Sequence, residues 1–269
     1  MTNSSFSSTT LNNNIYKWDQ KKIEVTKSDE LTLSFDRLVL KFPSIPENTA
    51  VLGNNGSMPI LFDLEDPRPG SIQIVNEHLP SIRKLMTVMM KSLTHYSSPS
   101  NFQFITISHY PEKWIDNIQN FDPQFTYCAG VSGDYENSTE DWILFLAKKA
   151  EDRINGRNHG PAVILFIDDI GLIDQLELRI RLTFDWLIKY GSLAKIWVVS
   201  GLDLNLNSDP KKPLDKFKTR IYGRIVSGIS KELKDSIPMG IVKDLNPERH
   251  YTTKIRSNWI QFWAPKLQG

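Results

Sequence analysis

The sequence predicts an α/β protein: a mostly parallel sheet flanked by helices on both faces, with short β-strands near the N-terminus. Three observations carry that expectation. Near-continuous apolar runs such as "AVILFIDDI" (162–170) and "AKIWVVS" (194–200) read as strands buried on both sides. Amphipathic stretches such as "QLELRIRLTFDWLIKYG" (175–191) lie between such runs, so strands and helices alternate. After the first 28 residues no linker-like composition breaks the chain. It therefore divides into an N-terminal arm, 1–28, and a single domain, 29–269.

Taken in order, the arm "MTNSSFSSTTLNNN" is rich in Ser, Thr and Asn, lacks apolar periodicity and reads as disordered. "ELTLSFDRLVLKF" (30–42) alternates well enough to suggest two short strands, and "PILFDLEDPRPGSIQIV" (59–75) two more, parted by a Pro/Gly turn. A helix follows, with Pro80 in its first turn and Ile82, Leu85, Met86, Met89 and Leu93 spaced along one face. "NFQFITIS" (101–108) is a strand, and Ser138 with Asp141 starts a helix through "EDWILFLAKKAEDRI". Gly191 closes the helix after the 162–170 strand, and "RIYGRIVSG" and "NWIQFWAP" supply late strands.

Composition bounds the function. The chain has 269 residues, 40% of them hydrophobic, enough for a substantial core. Lys plus Arg number 32 against 31 Asp plus Glu, and a net charge of +1 implies no nucleic-acid or membrane partner. The segment Lys211 to Arg256 is locally basic, with 12 cationic residues against 5 acidic ones. It reads first as a solvated, subunit-contacting face and second as a nucleic-acid contact. The single cysteine, Cys128, excludes an internal disulfide and fits a reducing compartment. No apolar run reaches the roughly 20 residues that span a bilayer, and the N-terminus has no signal-peptide pattern, so a cytoplasmic location is expected. The five histidines lack metal-ligand spacing, and no G-x-S-x-G elbow is present, which leaves a small-molecule enzyme without a catalytic constellation.

One junction is informative. "SIQIVNEHLPSIRKLMTVMMKSL" (71–93) has the strand–loop–helix shape of a phosphate-binding loop. The G-x-x-x-x-G-K-[ST] form of that loop needs glycines so that backbone N–H groups can turn toward the phosphates. It also needs a lysine against the phosphate charge and a hydroxyl for the metal. None of these stands at the key points here. Further on, the 162–167 strand ends in Asp168–Asp169, a pair that caps strands in many α/β proteins.

The order of these pieces resembles the motor domain of FtsK/SpoIIIE DNA translocases and the related HerA-type ATPases. "VLGNNGSMPILFDLEDPRPGSIQIV" is similar to that family's leading segment, and "IQIVNEHLPSIRKLMTVMMKSL" to its strand, Walker A loop and helix. "VILFIDDIGLI" resembles its Walker B strand, "KIWVVSGLD" its sensor strand, "FKTRIYGRIVSGIS" its T-R-I segment and "FWAPKL" its closing strand. The resemblance covers residues 50 to 266 and implies a RecA-like P-loop NTPase fold, often assembled as a ring.

Carried over residue by residue, it exposes departures. Asn76 stands at the first loop glycine, Leu79 and Ser81 at later glycines, and Glu77 and His78 between them. Ile82 replaces the lysine and Arg83 the Mg²⁺-binding Ser/Thr; Arg83 or Lys84 could stand in for the lost cation. Asp168 matches the Walker B metal carboxylate, binding metal only with a Mg-nucleotide. Asp169 replaces the water-polarising glutamate with a side chain one methylene shorter. Ser200 matches the sensor strand, and Arg220 the T-R-I arginine, structural or at a subunit contact. Glu77 offers a carboxylate that either fills the helix N-terminus in place of phosphate or faces water.

These departures imply a catalytically inactive, scaffold-like subunit that needs no cofactor and assembles with itself or with an ATPase relative. The alternative is an ATP-driven DNA translocase subunit with a divergent loop, using Mg-ATP and contacting DNA through 211–256.

Overall fold

A computed structural model describes residues 7–10, 15–17, 33–56, 58–133, 138–206, 211–226 and 237–267. Within the N-terminal arm, the described parts are two strands, β1 (Ser7–Thr10) and β2 (Ile15–Lys17). The rest of that segment lies outside the described residues.

The first helix corrects an expectation. Residues 35–41 form α1 (Phe35–Lys41) where two strands were expected. Ser34 caps it by accepting from the Arg37 N–H, Asp36 sits in its first turn, and Phe35, Leu38 and Phe42 are buried along one side. The alternation of Leu31, Leu33 and Phe35 hides this spacing, and the cap decides for helix.

Strands β3 (Thr49–Asn55) and β4 (Met58–Asp63) then form a hairpin. β5 (Ile72–Asn76) leads into α2 (Leu79–Tyr96), and β6 (Phe102–Ile107) into α3 (Pro111–Gln119) and the edge strand β7 (Cys128–Ser132). Next come α4 (Ser138–Ile154), β8 (Ala162–Ile167), the single turn α5 (Gly171–Asp174), α6 (Leu178–Tyr190) and β9 (Ile196–Asp203). The chain closes with α7 (Lys211–Lys216), β10 (Thr219–Tyr222), α8 (Met239–Val242), β11 (His250–Ile255) and β12 (Asn258–Trp263).

All these strands join one sheet, in the order β2-β1-β4-β3-β12-β11-β10-β5-β9-β8-β6-β7. From β10 to β7 every pairing is parallel. From β10 back to β4 every pairing is antiparallel, which gives a second wing. The central strands β5, β8 and β9 are buried at every position, which explains their unbroken apolar sequence.

Alternate residues face opposite cores. Ile72, Ile74, Ile164 and Val199 pack with α2 and α3, whereas Val75, Leu165, Ile167 and Leu202 pack with α4 and α6. The connection from β5 thus crosses one face, and those from β8 and β9 cross the other. In open α/β sheets ligands bind where such connections part, at the carboxyl ends of the strands. The candidate site lies there.

Candidate functional site

The turn from β5 into α2 is short. β5 ends at Asn76 and α2 begins at Leu79, so only Glu77 and His78 lie between. Asn76 folds back on it, its side-chain oxygen accepting from the His78 N–H at 3.1 Å. The other side of Asn76 is pressed against β10's exit: a Cβ on Gly223 would lie 2.0 Å from the Asn76 side-chain nitrogen. A side chain there would have to displace the Asn76 amide.

The free N–H groups of a helix N-terminus attract an anion. Here the carboxylate is that of Asp203, at the end of β9: its Oδ2 accepts from the Leu79 N–H at 3.1 Å, and its Oδ1 from the Asn205 N–H at 2.9 Å. Glu77, read from the sequence as either filling this place or facing water, accepts from the Val226 N–H at 2.9 Å, while its backbone carbonyl accepts from the Asn205 side chain at 2.8 Å. His78 and Ser81 form their own link, Nδ1 to Oγ at 2.9 Å. The Ser81 hydroxyl donates to the Pro247 carbonyl at 3.0 Å, which leaves His78 Nδ1 as the donor to it.

Ile82 is fully buried, as its place on the apolar stripe predicts. It packs beside Gly201 of β9: a Cβ added there would meet the Asp168 carbonyl at 2.1 Å and the Ile82 side chain at 2.7 Å. The next residue, Arg83, reaches the strand ends. Its Nε donates to Asp168 Oδ2 at 2.6 Å. The same oxygen accepts from the Ser108 hydroxyl at 2.7 Å and the Trp114 indole N–H at 3.1 Å. Asp168 is fully buried. The Arg83 guanidinium also lies 5.0 Å from the centre of the Tyr110 ring, whose neighbourhood includes the Lys113 ammonium at 4.5 Å.

The other expected residues divide. Asp169 adjoins the cluster, accepting from the Gly171 N–H at 2.9 Å and lying 3.8 Å from His109 Nε2. Lys84 points away, toward Glu248 at 3.8 Å. Ser200 is buried inside β9, with its hydroxyl on the Gly201 carbonyl. Arg220 sits on β10, level with Gln73 of β5, apart from the Asp168 cluster. Of the basic segment 211–256, Lys216 is paired with Asp185, and Lys218 and Arg249 donate to the carbonyls of Arg68 and Ala264. Sequence reasoning missed Ser108, Trp114 and Asp203. The one signal for them was position: Ser108 and Asp203 each sit at a strand's carboxyl end.

β5 flanked by parallel strands, with the helix of its turn on one face and Asp168 at the end of the next strand but one, gives the fold of P-loop ATPase domains. Solved structures share it. EccC (ATPases 2 and 3) of Thermomonospora curvata, solved in complex with a signal sequence peptide, superposes with a TM-score of 0.64 at 8% identity, over 96% of this chain and 46% of that one. The pCW3 conjugation coupling protein TcpA, with ATPγS, gives 0.63 at 14% identity, over 93% of this chain and 73% of that one. EssC (ATPases 2 and 3) of Geobacillus thermodenitrificans gives 0.63 at 14%, over 84% and 46%. The chain thus spans about half the length of the EccC and EssC structures. No protein-family model and no curated protein sequence matches it. No helix among the described residues is long and apolar enough to cross a membrane.

Proposed function

We propose that this chain is an ATPase-fold subunit without turnover, acting as a binding or scaffold component of a larger assembly. The observation that carries the reading is the 2.6 Å contact between Arg83 and Asp168. On the resemblance to FtsK-type motors, these two positions hold the metal between a hydroxyl and a carboxylate. Here a guanidinium supplies the positive charge from within the chain. A divalent cation would have to break a largely desolvated ion pair, a change that costs about 3–5 kcal/mol and weakens binding by roughly 10²–10⁴-fold.

Two further contacts point the same way. The Asp203 carboxylate on the α2 N-terminus takes the N–H group that phosphate would use and repels phosphate by charge. The two-residue turn holds too few N–H groups to surround a triphosphate. These residues do not fit a Mg-nucleotide, and no hydrolytic step follows from them. The structural neighbours EccC and EssC carry several ATPase domains in one chain, which supports an assembly in which this chain packs against a second copy or an active relative.

The test is thermal unfolding of the full chain with and without 1 mM Mg·ATP, paired with a phosphate-release assay. The expected result is an unchanged Tm and no release. A Tm raised by ligand binding, or turnover abolished by Asp168→Ala, overturns the reading. Mass measurement in solution, alone and with the candidate relative, tests the assembly role.

A further inference from the structure

The two oxygens of Asp168 are used unevenly. Oδ2 accepts three hydrogen bonds, from Arg83, Ser108 and Trp114. Oδ1, equally buried, has no hydrogen-bond partner among the described residues. The Arg83 guanidinium shows the same imbalance. Its Nε donates to Oδ2, while Nη2, on the same edge of the group, is buried without a partner. An arginine–carboxylate pair is frequently a fork, with two parallel N–H groups on two oxygens. Here Ser108 and Trp114 share Oδ2 with the guanidinium, and the second prong of the fork is not made.

One donor and one acceptor are thus left over, one on each member of the ion pair. Such groups are costly to bury alone, and protein interiors satisfy them with other protein groups or with ordered water. The two are complementary, since Nη2 can only donate and a carboxylate oxygen can only accept. A single small molecule that accepts from one and donates to the other satisfies both. Its charge follows from its neighbours. The guanidinium already balances the carboxylate, so a cation at Oδ1 would sit against Nη2 and an anion at Nη2 against Oδ1. A divalent cation also lacks ligands, because no group of three His, Cys, Asp or Glu side chains able to hold one occurs among the described residues. The Thr106 hydroxyl is fully buried and unpartnered as well. It lies two residues before Ser108, on the same face of the sheet, and buried waters make about three hydrogen bonds.

We propose that one internal water bridges Arg83 Nη2 and Asp168 Oδ1, and that it takes the last carboxylate oxygen open to a metal. The proposal rests on the reading of the Arg83–Asp168 pair given above and extends it: guanidinium, carboxylate and water form a closed neutral unit.

A high-resolution crystal structure of the full chain, from crystals soaked in magnesium chloride, reads the site directly. The expected result is a single peak about 2.5–3.2 Å from both atoms. Direct contact of Nη2 with Oδ1, or an intact pair with no peak between these atoms, overturns the water and leaves the reading of the pair standing. A peak about 2.0–2.1 Å from Oδ1 is a magnesium ion and overturns both. Oxygen-17 relaxation dispersion counts long-lived internal waters in solution. The double variant Arg83→Met/Asp168→Leu, once circular dichroism shows it folded, should hold one fewer than the parent, and equal counts overturn the proposal. If the double variant does not fold, the parent crystal decides.

Discussion

Arg83 concentrates the argument at the scale of single residues. Its side chain is 19% exposed and its partner Asp168 fully buried, so removing the cation strands a charge in the core. Arg83→Met should therefore lower stability by about 3–5 kcal/mol in urea unfolding. Adding Asp168→Asn should recover part of the loss, because the stranded charge disappears while Ser108 and Trp114 can still donate to the remaining amide oxygen. Equal stability of Arg83→Met and the parent would remove the ion pair from the account. A second residue sets a pH dependence. His250 stacks on Trp263 with ring centres 4.2 Å apart, and burial lowers its pKa from 6.5 to about 4. The unfolded chain thus takes up a proton that the folded chain refuses, so this contribution is intact above pH 6.5 and is lost as pH falls from 6.5 toward 4. His250→Phe should flatten that part of the stability profile, read from Tm between pH 7 and 4. Sequence reading found Asp168 because a carboxylate closing an apolar strand is conspicuous. It could not assign Arg83 to it, since the two lie 85 positions apart and only the fold joins them.

At the scale of elements, α2 is held from both ends of its first turn. Asp203 accepts from the Leu79 N–H, and Ile82 packs against Gly201 and Asp168. Asp203→Ala should cost about 0.5–2 kcal/mol, the usual loss on deleting a side-chain cap, and Asp203→Asn much less. Gly201→Ala should cost at least about 1–3 kcal/mol, since its Cβ meets backbone that cannot swing away. Both are read from denaturant midpoints, and a neutral Gly201→Ala would mean that β8 and β9 are less tightly apposed than described. The elements best read in the sequence are those with one dominant signal. β8 and β9 are apolar throughout, and α2 has a single stripe. The misread ones mix signals. Residues 35–41 alternate like a strand yet carry a helix cap, and β11, "HYTTKI", which the sequence reading missed, buries two threonines whose hydroxyls donate to the Ile260 and Arg220 carbonyls. β7, "CAGVS", is an edge strand with too few apolar residues to stand out.

At the scale of the whole molecule, the question is whether the antiparallel wing and the parallel half are one cooperative unit. The sheet runs unbroken through β11 and β10 into β5. More important, one hydrophobic core spans the join: Ala50, Ile60, Tyr251 and Phe262 of the wing pack in the same cluster as Ile74, Phe104, Ile164 and Val199 of the parallel half. Phe62 and Trp197 meet edge to face across it, with ring centres 5.0 Å apart. Neither half can expose its share of that core without uncovering the other's, so unfolding should be a single transition. Tryptophan fluorescence and far-ultraviolet circular dichroism should then give coincident curves. Phe62→Ala, which leaves a cavity at the join, should shift both together by about 3–5 kcal/mol. If the wing instead melts first and the Phe62→Ala loss falls on that early step alone, the two halves are separate folding units, and α2 with its Arg83–Asp168 pair is supported by the parallel half by itself.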